Sequence, residues 1–562
     1  MVFTYIYMTN SLIYQELIAE GNGNDIIEQN ERSRERYHIR MKKRTEYLLS
    51  GALLLFAVLL RTYQIAVTPL EMHIDEAGLG LNAWSIANYG TDRYGNFLPV
   101  CPSNFYGEQS AFYTYFCALL VKFFGLNIYT LRAPGVIMGI VTVFFGSLLM
   151  KEKWGKKGLF TGLALLGIFP YFIMNCRFAL DCNAMLGTLT LACYSLVRLL
   201  KKAEREPERK LYGRFALTGL LFAMVLYTYI IAALVVAVFC IPFGLYYLFQ
   251  KKGNRLLRLR QLLFLALPLC LLALPLVLVV CVNYFDLEPI VTPFFSIPKM
   301  VTNRTEEVSF SLSALPGKLR ALLYPLTADG KYGSSDRYWT MYWWSVPLVV
   351  LGIFAALRQA LRDMKNRKTG TDICMLFVAV SEVVMFVLCG QYNYHINGIF
   401  IALAYFCLSG IFFLEALFQT KKQRLVYGAV LVCLYGGAFA GFAAEYYGGE
   451  AQGVYQVYGG VSEALSLLSE TQKEREIYVL DEVGEFYFLS NPVSPSEFTA
   501  SCDELGYIRD YGNLHFHEPE GYRETDIYVC SKASGRYYAL SDTSVTGYDY
   551  SVLETEYYYV FY

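Results

Sequence analysis

Two short acidic stretches contain the residue types that proton transfer or metal binding requires. The first is Met72-His73-Ile74-Asp75-Glu76-Ala77, in which two carboxylates are adjacent and a histidine precedes them. Such a pair can take a proton from a hydroxyl group or bind a hard divalent cation such as Mg²⁺ or Mn²⁺. The same pair precedes a helix-like stretch, 77–89, where acidic side chains commonly cap a helix. Both interpretations stay open, although a cap does not need a second carboxylate.

The second stretch is Arg177-Phe178-Ala179-Leu180-Asp181-Cys182-Asn183. Arg177 and Asp181 are four residues apart, so they could form an ion pair within one helix. Alternatively, Asp181 faces the loop that follows the first apolar run and joins Asp75 in one site, where the two carboxylates would also hold any divalent cation. Arg132 could hold an anionic group in place, or it could simply extend to the membrane surface.

Other candidate residues carry weaker signals. Lys299 and Arg304 follow an apolar run and could meet either a phosphate group or lipid headgroups. His395 lies in a short polar segment between two apolar runs, and a single histidine there is more often structural than a ligand.

The composition specifies the kind of protein that positions these residues. Of the 562 residues 55% are hydrophobic and 17% are charged, and the mean hydropathy is +0.35. Because soluble domains have about 25% charged residues, a purely soluble enzyme is excluded. The zero net charge gives no indication of nucleic-acid binding. Apolar runs long enough for a membrane crossing of about 17–25 residues occur eleven times. They are 47–67, 131–150, 158–174, 184–200, 214–231, 232–249, 261–281, 341–357, 372–390, 397–418 and 424–443.

The basic residues predict the orientation of these spans. Six basic clusters hold 31 of the 48 Lys and Arg residues, and eleven spans with a cytoplasmic N-terminus place every cluster in the cytoplasm. The first outer loop (68–130), the second outer loop (282–340) and the C-terminal tail then face outward. Residues 111–126 are apolar but short and contain Lys122, so we expect a surface or re-entrant helix there rather than a crossing.

The chain divides into three predicted parts: a cytoplasmic segment 1–46, a transmembrane domain 47–443 and an exported domain 444–562. This last part, the tail, has 21 acidic and 6 basic residues. An amphipathic helix over 454–469 and strands at Ile477–Leu480, Asp526–Cys530 and Val552–Phe561 predict a small α/β domain. Cys502 and Cys530 lie in it, and spacing alone does not show whether they pair.

The order of these features resembles family 39 of the membrane glycosyltransferases, which includes protein O-mannosyltransferases and lipid A aminoarabinose transferases. The likeness rests on the Asp75-Glu76 pair, the surface helix, Arg132-Ala133-Pro134 and the later Arg177…Asp181. The stretches 89–96, 107–111 and 177–183 are similar to those of a clostridial-type branch. In place of the family's Lys-Pro-Pro-Leu-like run the chain has Gly107-Glu108-Gln109-Ser110, which makes Glu108 the candidate substrate contact there.

The resemblance implies the GT-C fold and a sugar donor linked to polyprenyl phosphate within the lipid bilayer of the cell membrane. Asp75 would take the proton of an acceptor hydroxyl on an envelope protein, lipid or polymer, with inversion at the sugar. Glu76 and Asp181 would orient the reactants, and Arg132 and Arg177 would offset the charge of the leaving phosphate. His73, Lys299, Arg304 and His395 would complete the substrate site.

Two other function classes compete with this interpretation. A transporter or flippase would have charges along a path through the membrane, whereas the acidic residues here cluster on one face and Glu382 is isolated. A non-catalytic scaffold would leave Asp75, Glu76 and Asp181 without a joint purpose.

Overall fold

The computed structural model describes the chain from residue 44 onward. The gaps within that range are 70–71, 106, 250–253, 301–312, 324–325, 327–336, 367, 390–392, 449–459 and 482. Arg304 and nearly all of the predicted segment 1–46 therefore lie outside the described residues.

Helices dominate the described residues between 44 and 448. Up to the second outer loop they are α1 (Arg44–Thr62), α2 (Ile74–Tyr89), α3 (Ala111–Phe124), α4 (Ile128–Ile168), α5 (Pro170–Met174), α6 (Met185–Arg205), α7 (Tyr212–Thr228), α8 (Ala232–Leu248) and α9 (Arg255–Tyr284). After it come α10 (Leu315–Ala321), α11 (Ser345–Lys365), α12 (Thr371–Cys389), α13 (Ile399–Leu417) and α14 (Lys421–Tyr447). Two 3₁₀ turns, Asn175–Arg177 and Asp181–Ala184, separate α5 from α6.

Eight helices of the described chain are long and apolar enough to cross a membrane, which makes this a multi-pass membrane protein. All eleven predicted spans fall mainly on helices. Two of them lie on the shorter apolar helices α7 and α8, 131–150 lies within α4, and 158–174 begins in α4 and ends in α5. At 41 residues α4 would be about 62 Å long. Gly155 interrupts it with φ 61° and ψ −141°, so α4 is a helical hairpin that turns within the basic cluster 151–157.

The first outer loop is folded. Helix α2 begins at Ile74, three residues before the predicted start, and α3 has only 14 residues, about 21 Å, too short for a crossing. Between them a two-stranded hairpin, β1 (Ser103–Asn104) and β2 (Gly107–Glu108), lies against α2. Gly78 permits this approach, because a Cβ atom there would lie 2.2 Å from Oδ1 of Asn104.

The second outer loop is attached to the first. It contains the hairpin β3 (Ile290–Val291) and β4 (Ser296–Ile297). Val100 N–H donates to the carbonyl oxygen of Ser296, 2.9 Å away, and Pro99 pairs with Ser296 in a parallel bridge. The two loops therefore meet on one side of the helices.

The tail is a small mixed α/β domain. Its strands are β5 (Ile477–Val479), β6 (Asp510–Tyr511), β7 (Leu514–His515), β8 (Ile527–Ser531), β9 (Val552–Glu554) and β10 (Tyr558–Phe561), in the order β6-β7-β5-β8-β10-β9. Its helices are α15 (Val461–Ser466), α16 (Gly484–Ser490), α17 (Pro495–Ala500), α18 (Tyr537–Ser541) and α19 (Thr543–Thr546). The predicted strands at Ile477–Leu480 and Asp526–Cys530 are confirmed as β5 and β8, whereas the predicted strand Val552–Phe561 is divided by a turn into the antiparallel strands β9 and β10. Of the predicted helix over 454–469, residues 454–459 lie outside the description and 461–466 are helical. Cys502 and Cys530 are not bonded to each other.

The tail packs directly on the first outer loop. Ala77 and Leu81 of α2 belong to the same buried apolar cluster as Phe486 and Phe488 of α16. The ring of Phe105 stacks on that of Tyr507 with centroids 4.8 Å apart. Both segments therefore lie on one side of the membrane, as the predicted topology requires.

Candidate active site

The N-terminus of α2 presents the first acidic pair, and its cap separates the roles of the two carboxylates. His73 is the N-cap residue of α2. Its ring nitrogen Nδ1 accepts from the backbone N–H of Asp75, and its backbone N–H donates to Oε2 of Glu76. Capping is thus performed by His73 and Glu76. The carboxylate of Asp75 makes no capping hydrogen bond: its Oδ2 lies 3.3 Å from Nδ1 of His73, and 47% of its side chain is exposed.

Glu76 is fully buried in an ion pair with Arg132. Nε of Arg132 lies 3.3 Å from Oε1 of Glu76, and the same oxygen accepts from Ala179 N–H. Arg132 also donates to the carbonyl oxygens of Ile65 and Pro69, at 3.0 and 2.9 Å. Breaking such a pair would leave an uncompensated buried charge, so Glu76 and Arg132 fix α2, α4 and the 179 segment to one another.

Arg177 does not form the predicted intrahelical pair with Asp181. Its five N–H donors go to backbone carbonyl oxygens near the end of α1, among them Leu60 at 3.0 Å and Tyr63 at 2.7 Å. A cation at this position satisfies the unpaired carbonyl groups of a helix C-terminus and opposes its negative dipole end. Arg61 does the same for α4, with bonds to the carbonyls of Leu166 and Gly167.

Asp181 faces the first outer loop, as the second interpretation of that residue predicts. Its Oδ2 accepts from Ser110 N–H at 2.9 Å, at the N-cap of α3, and its Oδ1 accepts from Cys182 N–H at 2.7 Å. Ala179, whose N–H donates to Glu76, is two residues before Asp181 in the chain. This hydrogen bond therefore links the segment that carries Asp181 to the segment that carries Asp75.

Sequence reasoning missed the groups that hold Asp75. Nδ2 of Asn104 donates to Oδ1 of Asp75 at 3.1 Å, and Oδ1 of Asn104 accepts from Nη2 of Arg93 at 2.8 Å. The Asn104 amide is thus held between a cation and the exposed carboxylate. Only the approach of the hairpin to Gly78 creates this contact, so no local sequence signal could have found it.

Arg93 lies in an aromatic enclosure between the outer loop and the tail. It is 2% exposed, and its guanidinium carbon is 5.0 Å from the ring centroids of Tyr94, Phe105 and Phe498. Burial raises the pKa of Tyr94 to about 12, so its hydroxyl stays neutral. That hydroxyl accepts from Arg93 at 3.0 Å and donates to the carbonyl oxygen of Gly506 in the tail at 2.9 Å.

Asp92 organises the loop that carries Arg93. Its buried carboxylate accepts from the N–H groups of Tyr94, Asn96 and Ser103, at 2.9–3.1 Å. Burial raises the pKa of Asp92, and these hydrogen bonds counter that effect only in part. A carboxylate that closes a turn in this way has a structural role.

The remaining predicted substrate residues lie in three different parts of the structure. Glu108 is buried on β2 and pairs with Ser103 of β1, the residue that precedes Asn104. Nζ of Lys299 lies 2.7 Å from Oδ1 of Asp286 in an exposed ion pair. His395 is buried between α12 and α13, where its Nδ1 lies 3.2 Å from the carbonyl oxygen of Cys389.

A metal ion bound by Asp75 or Asp181 would have few protein ligands. Among the described residues, Asp75 and Asp181 do not belong to a group of three metal-type side chains whose ligand atoms converge. Mg²⁺ commonly keeps several water ligands and needs only one or two carboxylates. The residues thus fit a hydrated cation held by Asp75 or Asp181, and they do not form an all-protein cage.

The overall structure is similar to that of solved membrane proteins, whereas no family model and no curated protein sequence matches the chain. ArnT from Cupriavidus metallidurans in the apo state gives a TM-score of 0.53 at 13% identity, over 93% of this chain and 98% of that one. ArnT bound to undecaprenyl phosphate gives 0.48 at 12%, over 92% and 97%. The Archaeoglobus fulgidus oligosaccharyltransferase in the apo form gives 0.48 at 12%, over 91% and 73%. The chain has the GT-C fold with a small C-terminal α/β domain.

Proposed function

We propose that this protein is a glycosyltransferase that moves a sugar from a polyprenyl-phosphate carrier to an acceptor hydroxyl on the outer face of the cell membrane. The observation that carries the proposal is the position of Asp75. Of the charged groups around the start of α2, Glu76 and Arg132 are buried and paired, while Asp75 is half exposed and held by Asn104. A general base needs this combination of access and fixed orientation.

In the proposed reaction Asp75 takes the proton of the acceptor hydroxyl. The acceptor oxygen forms a bond to the anomeric carbon, and the bond from that carbon to the phosphate oxygen breaks. The electron pair leaves with the polyprenyl phosphate. A single displacement of this kind inverts the configuration at the sugar, and a positioned base contributes about 10²–10⁴-fold to the rate.

The arginines expected at the leaving phosphate have their donors directed elsewhere. Arg132 binds Glu76 and backbone carbonyls, and all five donors of Arg177 go to carbonyls. We therefore propose a positioning role for both residues. Lys299 is the better candidate for the phosphate, since its exposed pair with Asp286 is weak and can be exchanged for another anion.

The tail offers a place for the acceptor. A cleft of about 730 Å³ opens between the outer loop and the tail, and the hydroxyl-bearing residues that line it include Thr91, Tyr94, Ser494 and Ser496. Tyr94 connects this cleft to Arg93 and hence to Asn104 and Asp75. Hydroxyls on a concave surface suit a polar acceptor such as a glycan or a serine-rich peptide.

The ligand of ArnT supports a polyprenyl-phosphate donor. ArnT shares the fold of this chain and has been crystallised with undecaprenyl phosphate. The test is turnover in proteoliposomes with a panel of undecaprenyl-phosphate sugars, measured as release of the lipid phosphate. We expect turnover with at least one donor and a loss of 10²–10⁴-fold in Asp75→Asn. Asp549→Asn, which changes an exposed tail carboxylate, is the matched control and should retain wild-type turnover. Equal turnover in Asp75→Asn and the control would refute the assignment.

A further inference from the structure

A cluster of two histidines and two carboxylates at the edge of the tail sheet has no part in the proposed transfer reaction. Two of the five histidines of the chain occur in it, in the stretch His515-Phe516-His517. His515 lies on β7 and His517 two residues beyond its end, and both imidazoles contact the carboxylate of Asp510. Asp510 is the cross-strand partner of His515 between β6 and β7.

The ligand atoms converge on one point. Nδ1 of His515 and Nε2 of His517 lie 2.6 and 3.0 Å from the same oxygen, Oδ1 of Asp510. The three ligand atoms all lie within 4.8 Å of one another. Donors on a tetrahedral Zn²⁺ are about 3.4 Å apart, since zinc binds nitrogen and oxygen at about 2.0–2.2 Å. Small side-chain shifts of about 1 Å would therefore place all three atoms on one ion.

The far nitrogen of each ring is anchored by a hydrogen-bond acceptor. Nε2 of His515 lies 2.7 Å from Oε2 of Glu476, and Nδ1 of His517 lies 2.8 Å from the carbonyl oxygen of Glu518. Metal-binding histidines typically donate their second N–H to a carboxylate or a carbonyl in this way, which fixes the tautomer and directs the other nitrogen at the metal. Both rings of this cluster have that outer partner.

The placement of the two rings points in the same direction. Their inner nitrogens are both directed at Oδ1 of Asp510, and the ring centroids are 5.6 Å apart. One Zn²⁺ at that point would bind both nitrogens and the carboxylate oxygen together.

We propose that Asp510, His515 and His517 form a zinc site in the tail, with water in the fourth position and Glu476 as the residue that orients His515. Two imidazoles and one carboxylate suit Zn²⁺, whereas Mg²⁺ and Ca²⁺ prefer oxygen ligands alone. The site joins β6 to β7 close to Tyr507, which stacks on Phe105 of the outer loop. Zinc would thus stabilise the segment through which the tail contacts that loop.

The test measures zinc in the purified full-length chain after dialysis against metal-free buffer and titration with ZnCl₂. We expect one more zinc ion per chain in the wild type than in the His515→Gln/His517→Gln double variant. Glu476→Gln should keep the stoichiometry but weaken zinc binding about 10–100-fold, the usual effect of losing an outer partner. Asp549→Asn, an exposed tail carboxylate outside the cluster, should bind zinc as the wild type does.

Thermal unfolding with and without EDTA keeps the test meaningful if the double variant folds poorly. Zinc should raise the Tm of the wild type and leave that of His517→Gln unchanged. Equal zinc content in the wild type and the double variant would overturn the proposal. So would a zinc ion that is lost in Asp75→Asn but kept in the histidine variants, because that ion would belong to the candidate active site.

Discussion

Gly78→Ala tests whether the approach of the β1–β2 hairpin to α2 holds Asp75 in place. The new Cβ atom would lie 2.2 Å from Oδ1 of Asn104 and 2.9 Å from Nη1 of Arg93, so the Asn104 amide must move. It then loses its hydrogen bonds to Arg93 and to Asp75. Hydrogen bonds to charged groups contribute about 1.5–3 kcal/mol each, whereas alanine gains about 1 kcal/mol over glycine within a helix. The expected net loss of stability is about 2–5 kcal/mol.

The matched control is Gly317→Ala in α10, where a Cβ atom meets nothing within 4 Å. Its stability should stay level or rise by up to about 1 kcal/mol. Both variants are compared by thermal unfolding and by release of lipid phosphate in proteoliposomes. Gly78→Ala should lose stability and turnover together. If Gly78→Ala is as stable and as active as Gly317→Ala, the contact between Asn104 and Asp75 does not position the base.

Three further substitutions test the contacts around the site. Glu76→Gln should cost about 3–5 kcal/mol in unfolding free energy because the buried Arg132 cation loses its carboxylate, and a double-mutant cycle of the two residues should show a coupling well above zero. Arg177→Lys should lower the Tm clearly, because an ammonium group cannot reproduce five bonds to carbonyls; an unchanged Tm would contradict the role at the end of α1. Tyr94→Phe removes the hydrogen bond to Gly506 and should cost about 1 kcal/mol, with faster limited proteolysis of the tail as the measurement.

Hydropathy predicted the helices of the transmembrane domain because a single apolar segment inside the hydrocarbon of a bilayer has to be helical. Every long apolar run became a helix, since backbone groups must be satisfied within the segment. The two spans predicted on either side of the basic cluster 151–157 agree with the helical hairpin of α4, whose turn lies at Gly155. The start of α2 was placed too late, since the cap at His73 depends on a histidine accepting a backbone N–H.

The partners of the charged residues could not be read from the sequence. Arg132 and Arg177 were expected at the substrate, but Arg132 binds Glu76 and Arg177 binds backbone carbonyls. Every residue has a backbone carbonyl, so the sequence does not indicate which of them an arginine will bind. The Asp181–Ser110 contact followed from the predicted position of Asp181 facing the first loop. Asn104 and its partner Arg93 were missed because the contact of Asn104 with Asp75 arises only from the packing of the hairpin on Gly78.

The central claim is that Asp75 acts in the chemical step, and single-turnover transfer from a saturating undecaprenyl-phosphate sugar tests it most directly. When the acceptor is saturating as well, neither binding step limits the rate, so a loss in Asp75→Asn reports on the chemical step. We predict a rate about 10²–10⁴-fold below that of the wild type, with unchanged donor affinity and only a small fall in Tm, because the amide oxygen of the variant still accepts from Asn104. A wild-type single-turnover rate in Asp75→Asn, or a defect confined to donor binding, would contradict the account.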